Sequence, residues 1–207
     1  MIEERELKLL IRDVDYYNIL ELAQKKGNFI KQINYYFDTN NFELNKLGIT
    51  LRFRKENYDW LLCLKVKKHN NSFITNSDEY EYRVNYLAFQ ECSVQPNRIL
   101  NYISEEAKQI LLNCIDINEV KLLGSIKNER QKINIDSYLI ELDKSVFPEN
   151  NLSYELEVEG VNSQEECNQI INFLESSGVK LTVNRKSKYK RFVELCQMND
   201  SKLRSHV

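Results

Sequence analysis

Seven stretches of this chain alternate between apolar and charged side chains, and a period of two selects the extended strand. The first is "EERELKLLI" (residues 3–11), with Glu4, Glu6 and Lys8 on one face and Leu7, Leu9 and Ile11 on the other. "LRFR" sets Arg52 and Arg54 against Leu51 and Phe53. "WLLCLKVK" sets Lys65 and Lys67, with Leu61 and Cys63, against Trp60, Leu62, Leu64 and Val66. "EYEYR" gives Glu79, Glu81 and Arg83 against Tyr80 and Tyr82, and "NERQK" gives Asn128, Arg130 and Lys132. "IELD" puts Glu141 and Asp143 opposite Ile140 and Leu142. "YELEVE" puts Glu155, Glu157 and Glu159 opposite Tyr154, Leu156 and Val158.

These segments arrive mostly as hairpins, for instance across the polar turn at Asn57, so the expected class is α+β with antiparallel pairing. "QINYYFDTN" (32–40) reads as a further strand, and "HNNSFITNS" as a loop. Helices are expected in four places. "DVDYYNILELAQKKG" has Asp13 as N-cap and Gly27 past its end; residues 98–113 follow a helical pattern. "SQEECNQIINFLESSG" carries a Ser163/Glu166 capping box and the stop Gly178, and "NRKSKYKRFVELCQM" forms the last helix. With 207 residues, the expectation is one domain over 1–198 and a polar tail over 199–207.

Two readings of the charged faces stay open at this point. A half-buried sheet with its polar face in water is the plainer one. However, such a face is usually rich in Thr and Ser, because Glu and Lys are poor strand formers. If the sheet instead closes with its apolar face outward under helices, the charges line a lumen. Arginine and lysine there suit phosphate oxygens, and clustered carboxylates suit Mg2+ or Mn2+. A polyphosphate–metal complex satisfies both signs.

Other classes are disfavoured. A formal net charge of −2 leaves no basic footprint for duplex nucleic acid. No 18-residue apolar run and no secretory signal are seen, so no membrane span and a cytoplasmic location are expected. The five cysteines are widely spaced without C-x-x-C and read as reduced thiols. The two histidines, His69 and His206, lie in a polar run and the tail, which disfavours histidine catalysis.

Taken in order, "ERELK", "YYFDT", "GITLRFR", "WLLCLK", "EYEYR", "NER", "IELD", "YELEVE" and "KSKYKRF" resemble the CYTH superfamily, the triphosphate tunnel metalloenzymes, and in particular the bacterial single-domain branch. "ERELK" fits that family's E-x-E-x-K signature. The resemblance implies a closed eight-stranded antiparallel β-barrel with helices outside, binding a triphosphate in its lumen. It implies metal ligation by Glu4, Glu6, Glu155 and Glu157, with Glu79, Glu81 and Asp143 as further acidic positions; Glu159 extends the late acidic row to three and leaves open which of these glutamates reach the metal. It implies phosphate binding by Lys8, Arg52, Arg54, Lys65 and Arg130, joined by Lys188 and Arg191 of the last helix. Glu4, Glu6, Lys8 and Lys65 are the expected catalytic set. Many members carry K-x-R where this chain has Asn128-Glu129-Arg130, so one lumen cation is missing or is supplied by Lys127 or Lys132.

The activity this implies is metal-dependent hydrolysis of inorganic triphosphate, thiamine triphosphate or a nucleoside triphosphate by a monomer or homodimer. The alternatives are a class IV-like adenylyl cyclase releasing cyclic AMP and pyrophosphate, and a non-catalytic polyphosphate or nucleotide binder.

Overall fold

The alternating segments become strands of a single antiparallel sheet in a computed structural model that describes residues 1–23, 26–68, 73–135 and 138–204. The strands are β1 (Ile2–Ile11), β2 (Lys26–Asp38), β3 (Ile49–Glu56), β4 (Asp59–Lys67), β5 (Ile74–Val84), β6 (Lys121–Ile135), β7 (Tyr138–Val146), β8 (Leu152–Glu159) and β9 (Leu181–Val183). Their order, β5-β4-β3-β2-β6-β7-β8-β1, is closed by pairing of β5 with β1, which makes an eight-stranded barrel; β9 adds to β1. Closure leaves no long open edge, which is how a large antiparallel sheet avoids edge pairing. The helices are α1 (Asp13–Leu22), α2 (Glu43–Lys46), α3 (Tyr86–Val94), α4 (Glu105–Cys114), α5 (Gln164–Ser176) and α6 (Lys188–Arg204).

The chain divides into two compact units. The first comprises Met1–Gln32, Lys67–Glu79 and Lys127–Arg185. Its core joins Leu7, Leu9, Ile11, Ile140, Leu142, Leu156 and Val158 to Tyr16 and Ile19 of α1 and to Cys167, Ile170 and Leu174 of α5. The second comprises Ile33–Val66, Tyr80–Ile126 and Lys186–Val207. Its core joins Phe37, Leu51, Phe53, Trp60, Leu62, Leu64 and Tyr80 to Cys92 of α3 and to Ala107 and Leu111 of α4. In both units the apolar parity lies under helices, so the charged parity faces inward. The half-solvated sheet is excluded by burial: Glu6, Glu79, Glu141, Asp143, Glu155 and Glu157 are all buried.

Several boundaries differ from the sequence expectation. Gly27 does not end α1 but lies in β2, where a Cβ would collide with the Lys132 backbone carbonyl. The N-cap of α1 is Arg12, and Asp13 instead accepts the Val14 amide at 2.8 Å. The pattern at 98–113 is two segments, a 3-10 turn over Pro96–Tyr102 and α4, separated by the N-cap Ser104. Helix α3 gives no stripe because it is apolar on most sides, with Tyr86, Leu87 and Val94 exposed. Residues 74–77 of the expected loop belong to β5, while 69–72, including His69, lie outside the described residues, as does His206. Helix α6 starts at Lys188 and continues to Arg204, through much of the expected tail. The Ser163 cap is as expected, its Oγ accepting the Glu166 amide at 3.1 Å, but Glu166 reaches back to Asn162 N. Among the described residues no helix is long and apolar enough to cross a membrane.

Candidate metal and phosphate site

In the first unit the strand register places acids directly opposite acids. Glu141 pairs with Glu157 and Asp143 with Glu155 across β7 and β8, and Glu6 pairs with Glu159 across β1 and β8. Like charges directly opposite destabilise a sheet. Lysine and arginine are interleaved among them. Lys8 sits opposite Glu157, and its Nζ lies 3.1 Å from Glu6 Oε1 and 3.4 Å from Glu157 Oε1. Two carboxylates of different strands therefore converge on one ammonium. Glu4 lies opposite Ser77, which makes it a diagonal neighbour of buried Glu79, itself opposite Ile2.

Arg130 is held by three acids. Its Nε and Nη2 donate to Asp143 at 2.8 and 2.6 Å, Nη2 donates to Glu157 at 2.6 Å, and Nη1 pairs with Glu141. Burial alone would lower the guanidinium pKa, but Asp143, Glu157 and Glu141 outweigh it and raise the value. Lys132 pairs with Glu141 at 2.8 Å, whereas Lys127 is exposed on the opposite parity. Of the two lysines, Lys132 has the inward parity. Asn128, at the family's lysine position, forms a neutral chain: its Nδ2 donates to Gln32 at 3.1 Å and Ser145 Oγ donates to its Oδ1 at 2.8 Å.

The second unit carries the cationic wall. On β3 and β4, Thr50 pairs with Lys65, Arg52 with Cys63 and Arg54 with Leu61. Arg54 Nη1 lies 3.4 Å from Glu81, and Cys63 Sγ donates to the same carboxylate at 3.5 Å; Glu81 itself is exposed. Tyr36, on the inward parity of β2, is buried and stacks on Tyr189 of α6 at 4.8 Å between ring centroids. Burial raises its pKa, and Arg52, Lys188 and Arg191 oppose that rise, Arg52 also through a hydrogen bond. The alternation rule missed Tyr36 because it counted only charges, although the parity of β2 already placed Tyr36 inward. It also missed Asn184, which follows β9 and donates from Nδ2 to Glu155 Oε1 at 2.6 Å.

The inward acids fit a hard divalent cation. They offer only oxygen, from carboxylates on adjacent strands, as Mg2+ and Mn2+ require. Glu6, Asp143, Glu155 and Glu157 share the inward face of β1, β7 and β8, and Glu4 and Glu79 lie farther along the same row.

The CYTH domain profile matches residues 3–193, from β1 into α6. The chain belongs to the CYTH domain family. Within that family, "Putative triphosphatase YjbK" of Bacillus subtilis (strain 168) is 28% identical over 165 residues, covering 78% of this chain and 80% of that protein. Two solved structures show the same fold. The Hippeastrum protein HpAC1, described as a putative adenylyl cyclase with a dominant triphosphatase activity, aligns with TM-score 0.79 at 21% identity, over 92% of this chain and 95% of its own. A Bacillus halodurans protein described as a putative adenylate cyclase aligns with TM-score 0.72 at 23% identity, over 93% and 99%.

Proposed function

We propose that this CYTH domain hydrolyses the terminal phosphate of a small triphosphate, such as tripolyphosphate, thiamine triphosphate or a nucleoside triphosphate, with Mg2+ or Mn2+. The observation that carries the reading is the opposed acid pairs Glu141/Glu157 and Asp143/Glu155 on an inward face. A sheet that only had to fold would not place four buried carboxylates opposite one another. The names of the B. subtilis and Hippeastrum relatives support the same chemistry.

Glu4, Glu6, Glu155 and Glu157 would hold the metal, with Asp143, Glu79 and Glu81 as further acids of the same face. The metal supplies Lewis-acid charge to the phosphate oxygens and lowers the pKa of a bound water. Lys8 lies between Glu6 and Glu157, so its ammonium would meet a phosphate oxygen beside the carboxylates. Arg52, Arg54, Lys65, Lys188 and Arg191 would spread over the remaining phosphate oxygens, at about 1.5–3 kcal/mol for each charge-assisted bond. Arg130 would be shared between substrate and the acids it already holds.

Replacing both Glu4 and Glu6 by Gln should cut Mn2+-dependent hydrolysis of tripolyphosphate by about 100-fold or more, since even outer partners of a metal site cost 10–100-fold. Unchanged turnover would remove the assignment. Products from ATP separate the cyclase alternative: ADP and phosphate are expected, not cyclic AMP and pyrophosphate.

A further inference from the structure

We infer that Asn184 is a positioning residue that fixes the carboxylate plane of Glu155; the inference rests on the metal reading above. Asn184 follows the short strand β9, and both partners are almost wholly buried, 5% exposed for Asn184 and 1% for Glu155. The Asn184 amide nitrogen donates to the Lys8 carbonyl at 2.8 Å, which extends the β1–β9 ladder by one residue. That bond ties Asn184 in register to the strand carrying Glu4, Glu6 and Lys8. Its side chain then reaches across the inward face of β1 to β8, where Nδ2 donates to Glu155 Oε1 at 2.6 Å. An ionised carboxylate can only accept, so the amide must turn its NH2 toward it, and its orientation is set by chemistry.

What distinguishes this contact is its charge. Arg130 holds Asp143, Glu157 and Glu141, and Lys8 holds Glu6 and Glu157, each through a full positive charge. A cation that holds a carboxylate also competes with a metal for it. The Asn184 amide is neutral, so this bond does not itself set a positive charge against a metal. It fixes one oxygen and so fixes the direction of the other. Glu155 stands opposite Asp143, and the bond from Asn184 opposes repulsion between the two carboxylates. A short neutral donor on a metal-ligating carboxylate is the kind of outer support whose loss costs about 10–100-fold in metal affinity.

The test uses Asn184→Leu, which keeps the shape and removes the donor, and Asn184→Ala. Mn2+ binding to resting protein is followed by electron paramagnetic resonance, and kcat and KM for tripolyphosphate are measured at saturating Mn2+. The expected result is a rise of about 10–100-fold in the Mn2+ dissociation constant of each folded variant, with much smaller changes in KM at saturating metal. Asn184→Gln, which retains a donor, should recover part of the loss. Wild-type affinity in a folded Asn184→Leu or Asn184→Ala protein overturns the inference and leaves the metal reading standing. Absence of Mn2+ binding by the wild type overturns both. Should Asn184→Leu fail to fold, Asn184→Ala carries the same comparison, because it introduces no new bulk.

Discussion

At the scale of single residues, a pH-sensitive ion pair joins Asp15 to Arg12, outside the candidate site. Asp15 on α1 is buried and accepts from Arg12 Nε at 2.6 Å and Nη2 at 2.8 Å. The hydrogen bond from Arg12 lowers the Asp15 pKa from its ordinary 3.8, outweighing desolvation. A carboxyl with a depressed folded value contributes stability that is complete above its unfolded value and is lost as pH falls through the folded one. Asp15→Asn should therefore destabilise the protein by about 1 kcal/mol at neutral pH, a discounted figure because Arg12 is half exposed. Thermal melts of both proteins should converge as the pH is taken below about 4. A gap that stays constant down to pH 2 would show that packing, not charge, makes the difference. Residues such as Asp15, Tyr36 and Asn184 are the least legible in the sequence. Charge alternation marks a side chain only when its neighbours repeat the pattern. A lone polar residue at a strand end or in a first helical turn has no period to reveal its direction.

At the scale of elements, Asp38 joins two helices that no short-range pattern connects. Its Oδ1 accepts the amides of Thr39 and Leu44 at 2.7 and 2.9 Å, and its Oδ2 accepts Asn45 N at 3.0 Å and the Tyr189 hydroxyl at 2.6 Å. One carboxylate thus satisfies the N-terminal amides of α2 and anchors α6, the helix bearing Lys188 and Arg191. Burial and the Asp38 charge raise the Tyr189 pKa, so the hydroxyl remains a donor at neutral pH. Tyr189→Phe should cost about 1–3 kcal/mol, because it removes a charge-assisted bond from a buried carboxylate. If α6 presents cations to the substrate, KM for tripolyphosphate should rise more than kcat falls. Amide hydrogen exchange over 188–196 should quicken by a similar free energy. Unaltered exchange there would show that stacking of Tyr189 on Tyr36, at 4.8 Å between centroids, suffices to hold the helix. The strand elements were readable because inward and outward residues differ in charge class. The start of α6 was not, since "NRKSKYKR" is uniformly polar. Its only local marker is Ser187, whose Oγ accepts the Lys190 amide at 3.0 Å.

At the scale of the whole molecule, the barrel is organised opposite to a water-soluble globule with an oily centre: its apolar faces lie outside under helices and its carboxylates inside. Among the described residues, the first unit buries Glu6, Glu79, Glu141, Asp143, Glu155 and Glu157 on inward strand faces, against the inward cations Lys8, Arg130 and Lys132. Negative charge is in excess there, and the register sets part of it in direct opposition. If these acids serve a metal, the fold without it should be less stable than its packing allows, as functional sites commonly are. A divalent cation that binds only the folded state should recover that stability by mass action, about 2.7 kcal/mol at a hundredfold excess over the dissociation constant. For a chain of this length that corresponds to a rise in melting temperature of about 5–10 °C. Mn2+ or Mg2+ should therefore raise the melting temperature with a logarithmic dependence on concentration, and EDTA should reverse the rise. Glu155→Gln should behave in the opposite sense. Its metal-free protein should melt at or above the wild-type temperature, since one member of an opposed pair is neutralised, while its response to metal should shrink by several degrees. Equal metal-induced shifts in wild type and Glu155→Gln, followed by differential scanning fluorimetry, would mean that the inward acids serve the fold and not an ion.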